Sequence, residues 1–352
     1  MIGYDNIVSM AAIRFYKPAL YRKDMDAVLQ TMVDEKIGPG DKKRDFVKLY
    51  SSLVGKDSGF ALRSYFDAIV ISLRSLGLKS GDKVFISVLS PRIYLEAFKE
   101  LDLTAVLCDV DDSMMIDSTF VKDHIDPDTK AIIYYEPICQ MPKSFDSIVD
   151  IGLPIIEDIS QSIGSSFGDL KPGMAGSIVI ASTEEDSVIS TGGGAIVLSS
   201  SEEISNALSK EVSRLSPYIE LPDMNAALGI VQITKLDNVL GRRNNIYKIY
   251  SQAVMKTNCK VFGTGAMDFF SNGYGFSVIV NTKPDEAISF AQKYQVSARK
   301  TFSGAIGARY QDRFDRFPKA IPALTRAVSF PIYPFLSAVE IESVQKVLSH
   351  IH

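Results

Sequence analysis

From Lys83 to Glu157 the chain repeats one alternation, and that alternation leaves few architectures open to it. Lys83-Val84-Phe85-Ile86-Ser87-Val88-Leu89 reads as a strand and Arg92 to Glu100 as a helix. Thr104 to Cys108, Ser118 to Asp123, Lys130 to Tyr135, Ser144 to Asp150 and Leu153 to Ile156 continue the series as strand, helix, strand, helix, strand. Runs this apolar are buried on both faces, which a largely parallel sheet covered by helices provides. The pattern predicts an α/β layered fold.

A second pattern follows. Met224 to about Met255 predicts one long helix, apolar at Ala226, Ala227, Leu228, Ile230, Val231, Ile233 and Leu236 and polar at Arg242 to Asn245. A helix that leaves one core and enters another shows this change. Beyond it, Gly275 to Val280, Pro284 to Tyr294, Val296 to Lys300 and Ala338 to Ile351 alternate strand and helix and predict a small α+β unit. The expected division is a large domain over 1–240, whose N-terminal segment packs on the small domain, and a small C-terminal domain over 241–352. Pro39-Gly40, Pro172-Gly173 and Ser199 to Ser201 mark turns rather than linkers.

Acidic residues stand where strands end: Asp109 and Asp111, Glu136, then Glu157 and Asp158. Each alone reads as a turn or cap residue. Their shared position matters because ligands of open α/β sheets bind beyond the carboxyl ends of the strands.

Composition excludes more than it selects. A chain of 352 residues, 46% hydrophobic and 23% charged, can bury a sizeable core. Its net charge of −4 gives no general attraction to nucleic acid or anionic membranes, so neither is an expected partner. Cys108, Cys139 and Cys259 are odd in number and widely spaced, which is neither a disulfide framework nor a zinc signature. Reduced thiols in the cytoplasm are the expectation. Three histidines, two of them at the C-terminus, exclude a His-rich metal site, and no metal is expected. No secretory leader is evident, and no apolar run approaches the roughly 20 residues that span a bilayer.

An ordered set of motifs makes the reading specific. Ile37-Gly38-Pro39-Gly40, Leu73 to Val84, Asp109-Val110-Asp111, Thr129 to Ile133, Gly152 to Gln161, Asn225-Ala226-Ala227-Leu228-Gly229 and Ser329 to Pro334 follow one another along the chain. In that order they resemble the DegT/StrS family of sugar aminotransferases, which use pyridoxal phosphate (PLP) on the aspartate-aminotransferase fold. The likeness runs from about Pro18 to Ile351. It implies a PLP-dependent transferase fold, with a mostly parallel mixed sheet of about seven strands and a homodimer. By resemblance, Asp158 matches the aspartate that pairs with the cofactor's pyridine nitrogen. Gln161 matches the glutamine on the ring's phenolic-oxygen side, and Ser182 the serine that holds the phosphate.

The departures fall where the chemistry lies. No lysine occurs between Lys171 and Lys210, and the position of the Schiff-base lysine falls on Asp186 or Ser187, neither of which can form an imine. Where the family has Gly-Thr at a helix start to receive phosphate, this chain has Tyr65 and Phe66 after Ser64, with Arg63 alongside. Ser64, Tyr65 and Phe66 therefore join Asp158, Gln161 and Ser182 as the candidate inherited pocket. The stretch Lys210 to Asp223, with Tyr218, Ile219 and Glu220, is short where the family carries a loop that reaches across a dimer. Phe302 to Ile306 lacks the family's histidine. Glu184-Glu185-Asp186 is a solvated acidic loop by default, and Gly192-Gly193-Gly194 precedes a strand, so it reads as a tight turn rather than a phosphate loop.

Three functional expectations follow. The first is a degenerate aminotransferase homologue without ordinary transamination. It holds no covalent cofactor, and it retains a small-molecule, nucleotide-sugar-like pocket in polysaccharide or amino-sugar metabolism. The second is an active enzyme with altered, dehydratase-like chemistry, binding PLP or pyridoxamine phosphate (PMP) with Asp186 as base. The third is a structural or regulatory partner-binding protein whose pocket is plugged by Tyr65 and Phe66.

Overall fold

Residues 12–263 and 268–351 are described by the computed structural model. In chain order the first elements are α1 (Arg22–Val33), α2 (Asp41–Val54), β1 (Ser58–Leu62), α3 (Tyr65–Ser75), β2 (Lys83–Ser87), α4 (Ile93–Glu100), β3 (Thr104–Cys108), α5 (Ser118–Asp123), β4 (Thr129–Tyr135), α6 (Asp146–Val149) and β5 (Ile155–Asp158). Then come β6 (Ser166–Phe167), β7 (Ile178–Ser182), β8 (Ala195–Ser199), α7 (Glu202–Leu215), α8 (Asp223–Thr234), α9 (Leu236–Val254), β9 (Lys260–Val261), β10 (Phe269–Phe270) and β11 (Phe276–Ile279). The chain closes with α10 (Pro284–Lys293), β12 (Arg299–Lys300), a short 3-10 turn at Ile306–Arg309, α11 (Ala320–Arg326), β13 (Ala327–Phe330) and α12 (Ala338–Leu348).

Seven strands form the main sheet in the order β1-β8-β7-β5-β4-β2-β3. The pairs β2–β3, β2–β4, β4–β5 and β5–β7 are parallel, whereas β7–β8 and β1–β8 are antiparallel. This is the mixed, mostly parallel sheet of the expected α/β class. Its apolar strands are covered on both faces. Ile86, Ile133, Ile156 and Val197 pack with α3 and α4 on one side, and Ala61, Val179, Ile196 and Leu198 pack with Phe46 and Tyr50 of α2 on the other. A four-stranded antiparallel sheet, β12-β13-β11-β9, has its own core of Phe276, Val278, Val328 and Phe330 against α9, α10 and α12.

Local chemistry sets the helix starts. Ser64 caps α3 by accepting from the Asp67 N–H at 3.0 Å. Ser337 and Glu340 form a capping box on α12. The α3 sequence is almost wholly apolar from Ala68 to Leu73, which suits a helix wedged between the sheet and its neighbours.

The structure corrects three expectations. The single long helix over Met224 to Met255 is two helices, α8 and α9, meeting at Lys235 (φ −107°, ψ 0°). The break is pinned from α1. The Lys235 ammonium pairs with buried Asp24 and lies 4.6 Å over the Tyr21 ring, and Gln232 donates to Asp24 at 2.9 Å. The strand expected over Val296 to Lys300 is reduced to β12, because Val296 bridges Ile13 while Arg299 and Lys300 pair with β13. Lys210 to Leu215 belong to α7, which leaves Ser216 to Pro222 as the connection. Residues 1–11, on which the reading of no leader rests, lie outside the described residues. Among the described residues no helix is long and apolar enough to cross a membrane.

Candidate active site

The carboxyl ends of β4 and β5 and the first turns of α3 and α4 converge on Asp158. This residue is fully buried. Tyr65, the first residue of α3, and Tyr94 of α4 both donate to Oδ2, Tyr94 at 2.7 Å. Oδ1 accepts from the Ser160 backbone N–H at 3.0 Å and from the Ser160 hydroxyl. The two tyrosine rings stand edge to face with centroids 6.1 Å apart. Burial pushes the Asp158 carboxyl above its ordinary range, and the Ser160, Tyr65 and Tyr94 hydrogen bonds pull the other way. Burial, reinforced by the Asp158 charge, holds both phenols well above theirs.

The remaining candidates satisfy the protein around this centre. Gln161 accepts from the Ile138 N–H at 2.8 Å and donates to the Tyr274 hydroxyl at 3.3 Å. The first bond steadies a strained corner, since Ile138 (φ 47°) and Cys139 (φ 57°) are both left-handed without being glycine. Ser182 accepts from the Glu184 N–H at 3.2 Å and from the Ser187 hydroxyl at 3.3 Å. Ser64 serves as the α3 cap, and Phe66, half-buried, packs against the main core. Of the two residues in the lysine slot, Ser187 is buried against Ser182. Asp186 lines a small cavity with Gln161, Tyr274, Arg299, Tyr16 and Phe15. Tyr16 closes this cavity by donating to the Glu185 carbonyl, and the Arg299 guanidinium stacks 3.7 Å from the Phe15 ring centroid. Glu184 and Glu185 do not form a metal cluster: no group of three potential ligands is found among the described residues.

Behind the centre lie two buried glutamates. Glu157 accepts from the N–H groups of Gly173, Ala175 and Gly176. Glu136 accepts from the Ser162 hydroxyl. Burial and the neighbouring Glu157 charge raise the Glu136 carboxyl well above its ordinary range, and the Ser162 hydrogen bond opposes that rise. Asp109, another strand-end acid, accepts from the N–H groups of Lys319 and Ala320 at the start of α11. Among the strand-end acids of the described residues, Asp158 is the one on which two tyrosine hydroxyls from separate helices converge.

PLP, which the resemblance implies, does not fit these residues as they stand. Both Asp158 oxygens already accept from the chain's own donors, and Tyr65 provides one of them from the helix start that receives phosphate in the family. No lysine meets Asp158 or lines the adjoining cavity. That cavity measures about 80 Å³, well short of the roughly 300 Å³ at which small-molecule pockets begin. Tyr94 and Ser160 escaped the sequence reading. Ser160 had a readable signal, an Asp-x-Ser turn closing on its own carboxylate. Tyr94 had none, because only the fold brings α4 over β5.

The model of the DegT/DnrJ/EryC1/StrS aminotransferase family matches residues 18–351. The spore coat polysaccharide biosynthesis protein SpsC of Bacillus subtilis is 22% identical over 364 residues, covering 93% of this chain and 94% of SpsC. Among solved structures, the PLP form of Spr1654 from Streptococcus pneumoniae superposes with a TM-score of 0.88 at 17% identity, covering 96% and 98% of the two chains. The E. coli GDP-4-keto-6-deoxy-D-mannose-3-dehydratase with bound hydrated PLP follows at 0.84 and 17%, covering 96% and 100%.

Proposed function

The chain belongs to the DegT/DnrJ/EryC1/StrS aminotransferase family, and from that premise we propose that it is a divergent member that does not carry out ordinary transamination. The observation that carries this reading is the closed set of donors on Asp158. A carboxylate at this position keeps a pyridine nitrogen protonated so that the ring can act as an electron sink. Here the Tyr65 hydroxyl donates the hydrogen bond that the ring would otherwise donate. The absence of an amine at Asp186 and Ser187 removes the covalent anchor as well. In this reading the protein serves polysaccharide or amino-sugar metabolism as a ligand-binding or regulatory component rather than as an amino-group transferase. A nucleotide sugar is the expected class of small molecule.

The same reading includes a homodimer. Its support is the apolar face of α1 and its flanks, where Leu20, Met25, Leu29, Met32 and Ile37 are exposed together.

The test is addition of PLP or PMP to the purified protein, followed by near-ultraviolet and visible absorbance and by thermal unfolding. A ligand at a hundred times its Kd adds about 2.7 kcal/mol to stability. The expected result is no bound chromophore and no rise in Tm with wild type, and a rise with the Tyr65→Gly/Phe66→Thr variant, which restores the family's residues. A borohydride-reducible band or a clear rise in Tm with wild type overturns the reading.

A further inference from the structure

A cavity separate from Asp158 lies at the edge of the main sheet. It measures about 520 Å³ and is bounded by α2 on one face of β1, α7 on the other, and the outer edge of β1 as its floor. Asp158 sits on β5, three strands in, which places the two sites roughly 14 Å apart across the sheet. The cavity is lined along β1 from Ser58 to Ala61, and Tyr65 is not among its lining residues.

Its lining is cationic. Lys43, Arg44, Lys48 and Lys56 face it, against two acids, Glu220 and Asp57, a surplus of two positive charges. Lys43 is paired with Glu220 and Arg44 with Asp41, which lies outside the lining, and Lys56 donates to the Gly176 carbonyl at 3.0 Å. Lys48 has no ion-pair partner among the described residues. Hydroxyls of Ser51, Ser52 and Ser58 accompany the cations. Ser51 is the telling one: it is buried, it lines the cavity, and its Oγ has no hydrogen-bond partner. A buried hydroxyl left without a partner is destabilising unless something meets it.

The floor adds a backbone donor. The Arg63 N–H bonds to the Ile219 carbonyl, and the Leu221 N–H bonds to the Ala61 carbonyl, so these alternate residues of the β1 segment turn their peptide groups outward. By the same alternation Gly59 turns its N–H outward, into the open part of the edge. Ser51 Oγ lies over this glycine, 3.3 Å from where a Cβ would stand. Val47, Phe60 and Val212 supply an apolar wall.

We propose that this groove binds a small phosphate monoester, with the phosphate held by Lys48, Ser51 and the Gly59 N–H and the organic body against Phe60 and Val212. A phosphate monoester carries about −1.5 to −2 at neutral pH, which matches the surplus on the walls. The volume lies within the range of small-molecule sites. The site is independent of how the Asp158 centre is read.

The experiment is calorimetric titration of the purified chain with glucose 6-phosphate, adenosine 5′-monophosphate and inorganic phosphate, with glucose and adenosine as controls. At least one ester is expected to bind more tightly than inorganic phosphate, and the two uncharged compounds not to bind. Which ester binds distinguishes a sugar from a nucleoside as the body. Lys48→Glu, on an exposed helix face, and Ser51→Ala are each expected to weaken that ester roughly tenfold while circular dichroism stays unchanged. Binding of no ester overturns the proposal. So does binding that either variant leaves intact, or inorganic phosphate that binds as tightly as the tighter of the two esters.

Discussion

Replacing Tyr65 by phenylalanine removes one oxygen and nothing else, and the structure fixes what that oxygen does. It is one of two hydroxyls on Asp158 Oδ2, in a site from which solvent is excluded. A hydrogen bond to a charged group contributes about 1.5–3 kcal/mol, so Tyr65→Phe is expected to lower stability by about 2 kcal/mol at neutral pH. At roughly 2.1 cal/mol/K per residue, a chain of 352 residues unfolds with about 0.7 kcal/mol/K, and Tm should fall by about 3 °C. The pH dependence separates this mechanism from generic loosening. Burial raises the Asp158 pKa in the folded state, and the Tyr65 bond opposes that rise. The variant's folded pKa is therefore higher still. A raised folded pKa means stability complete below the unfolded carboxyl range and lost as pH climbs through the folded value. The variant loses more over that climb, so the gap between the proteins opens with rising pH and closes in acid, where Asp158 is protonated in both. Tyr65→Phe/Tyr94→Phe leaves Oδ2 without either hydroxyl and should cost more than the sum of the single variants. Calorimetric unfolding across the acid to neutral range measures all of this. A Tyr65→Phe protein with unchanged Tm, or with a deficit that does not vary with pH, would refute the idea that this phenol holds Asp158.

Glu136→Gln keeps the size and shape of the side chain and removes its titration. It should leave neutral-pH stability within about 1 kcal/mol and abolish the loss that wild type suffers as pH rises through the elevated Glu136 pKa, read as urea midpoints against pH. Gly229→Ala puts a Cβ 2.5 Å from Phe46 and 2.8 Å from Thr191. Overpacking of this kind costs about 1–3 kcal/mol, measurable by denaturant titration. Met25→Glu/Leu29→Glu places two charges on the exposed face of α1 and should shift a dimer to monomer in sedimentation velocity without changing the circular dichroism spectrum.

The sheet was legible because burial on both faces leaves a strong trace. Each strand expected from Lys83 to Ile156 is found within a residue or two, and Ser118 to Asp123 is a helix with those same ends. The break at Lys235 was not legible. Its causes, Asp24 and Tyr21, lie some two hundred residues away in sequence and meet it only after α1 has packed on α8. The site shows the same split. Asp158 stood out from its place at a strand end, and the missing lysine from counting. That Tyr65 turns toward Asp158 while Phe66 packs against the core could be settled only by the geometry of the first turn of α3. Gln161 and Ser64 were recognisable as residues, but what they hold, the Ile138 corner and a helix end, is tertiary.

The phenol on Asp158 has a consequence for the protein's life in a cell. An enzyme that borrows part of its stability from a bound vitamin B6 derivative weakens when that vitamin is scarce. On the proposed reading, a chain that meets its own buried carboxylate with tyrosine draws no stability from that supply, and its abundance is then expected to stay level in a starved cell.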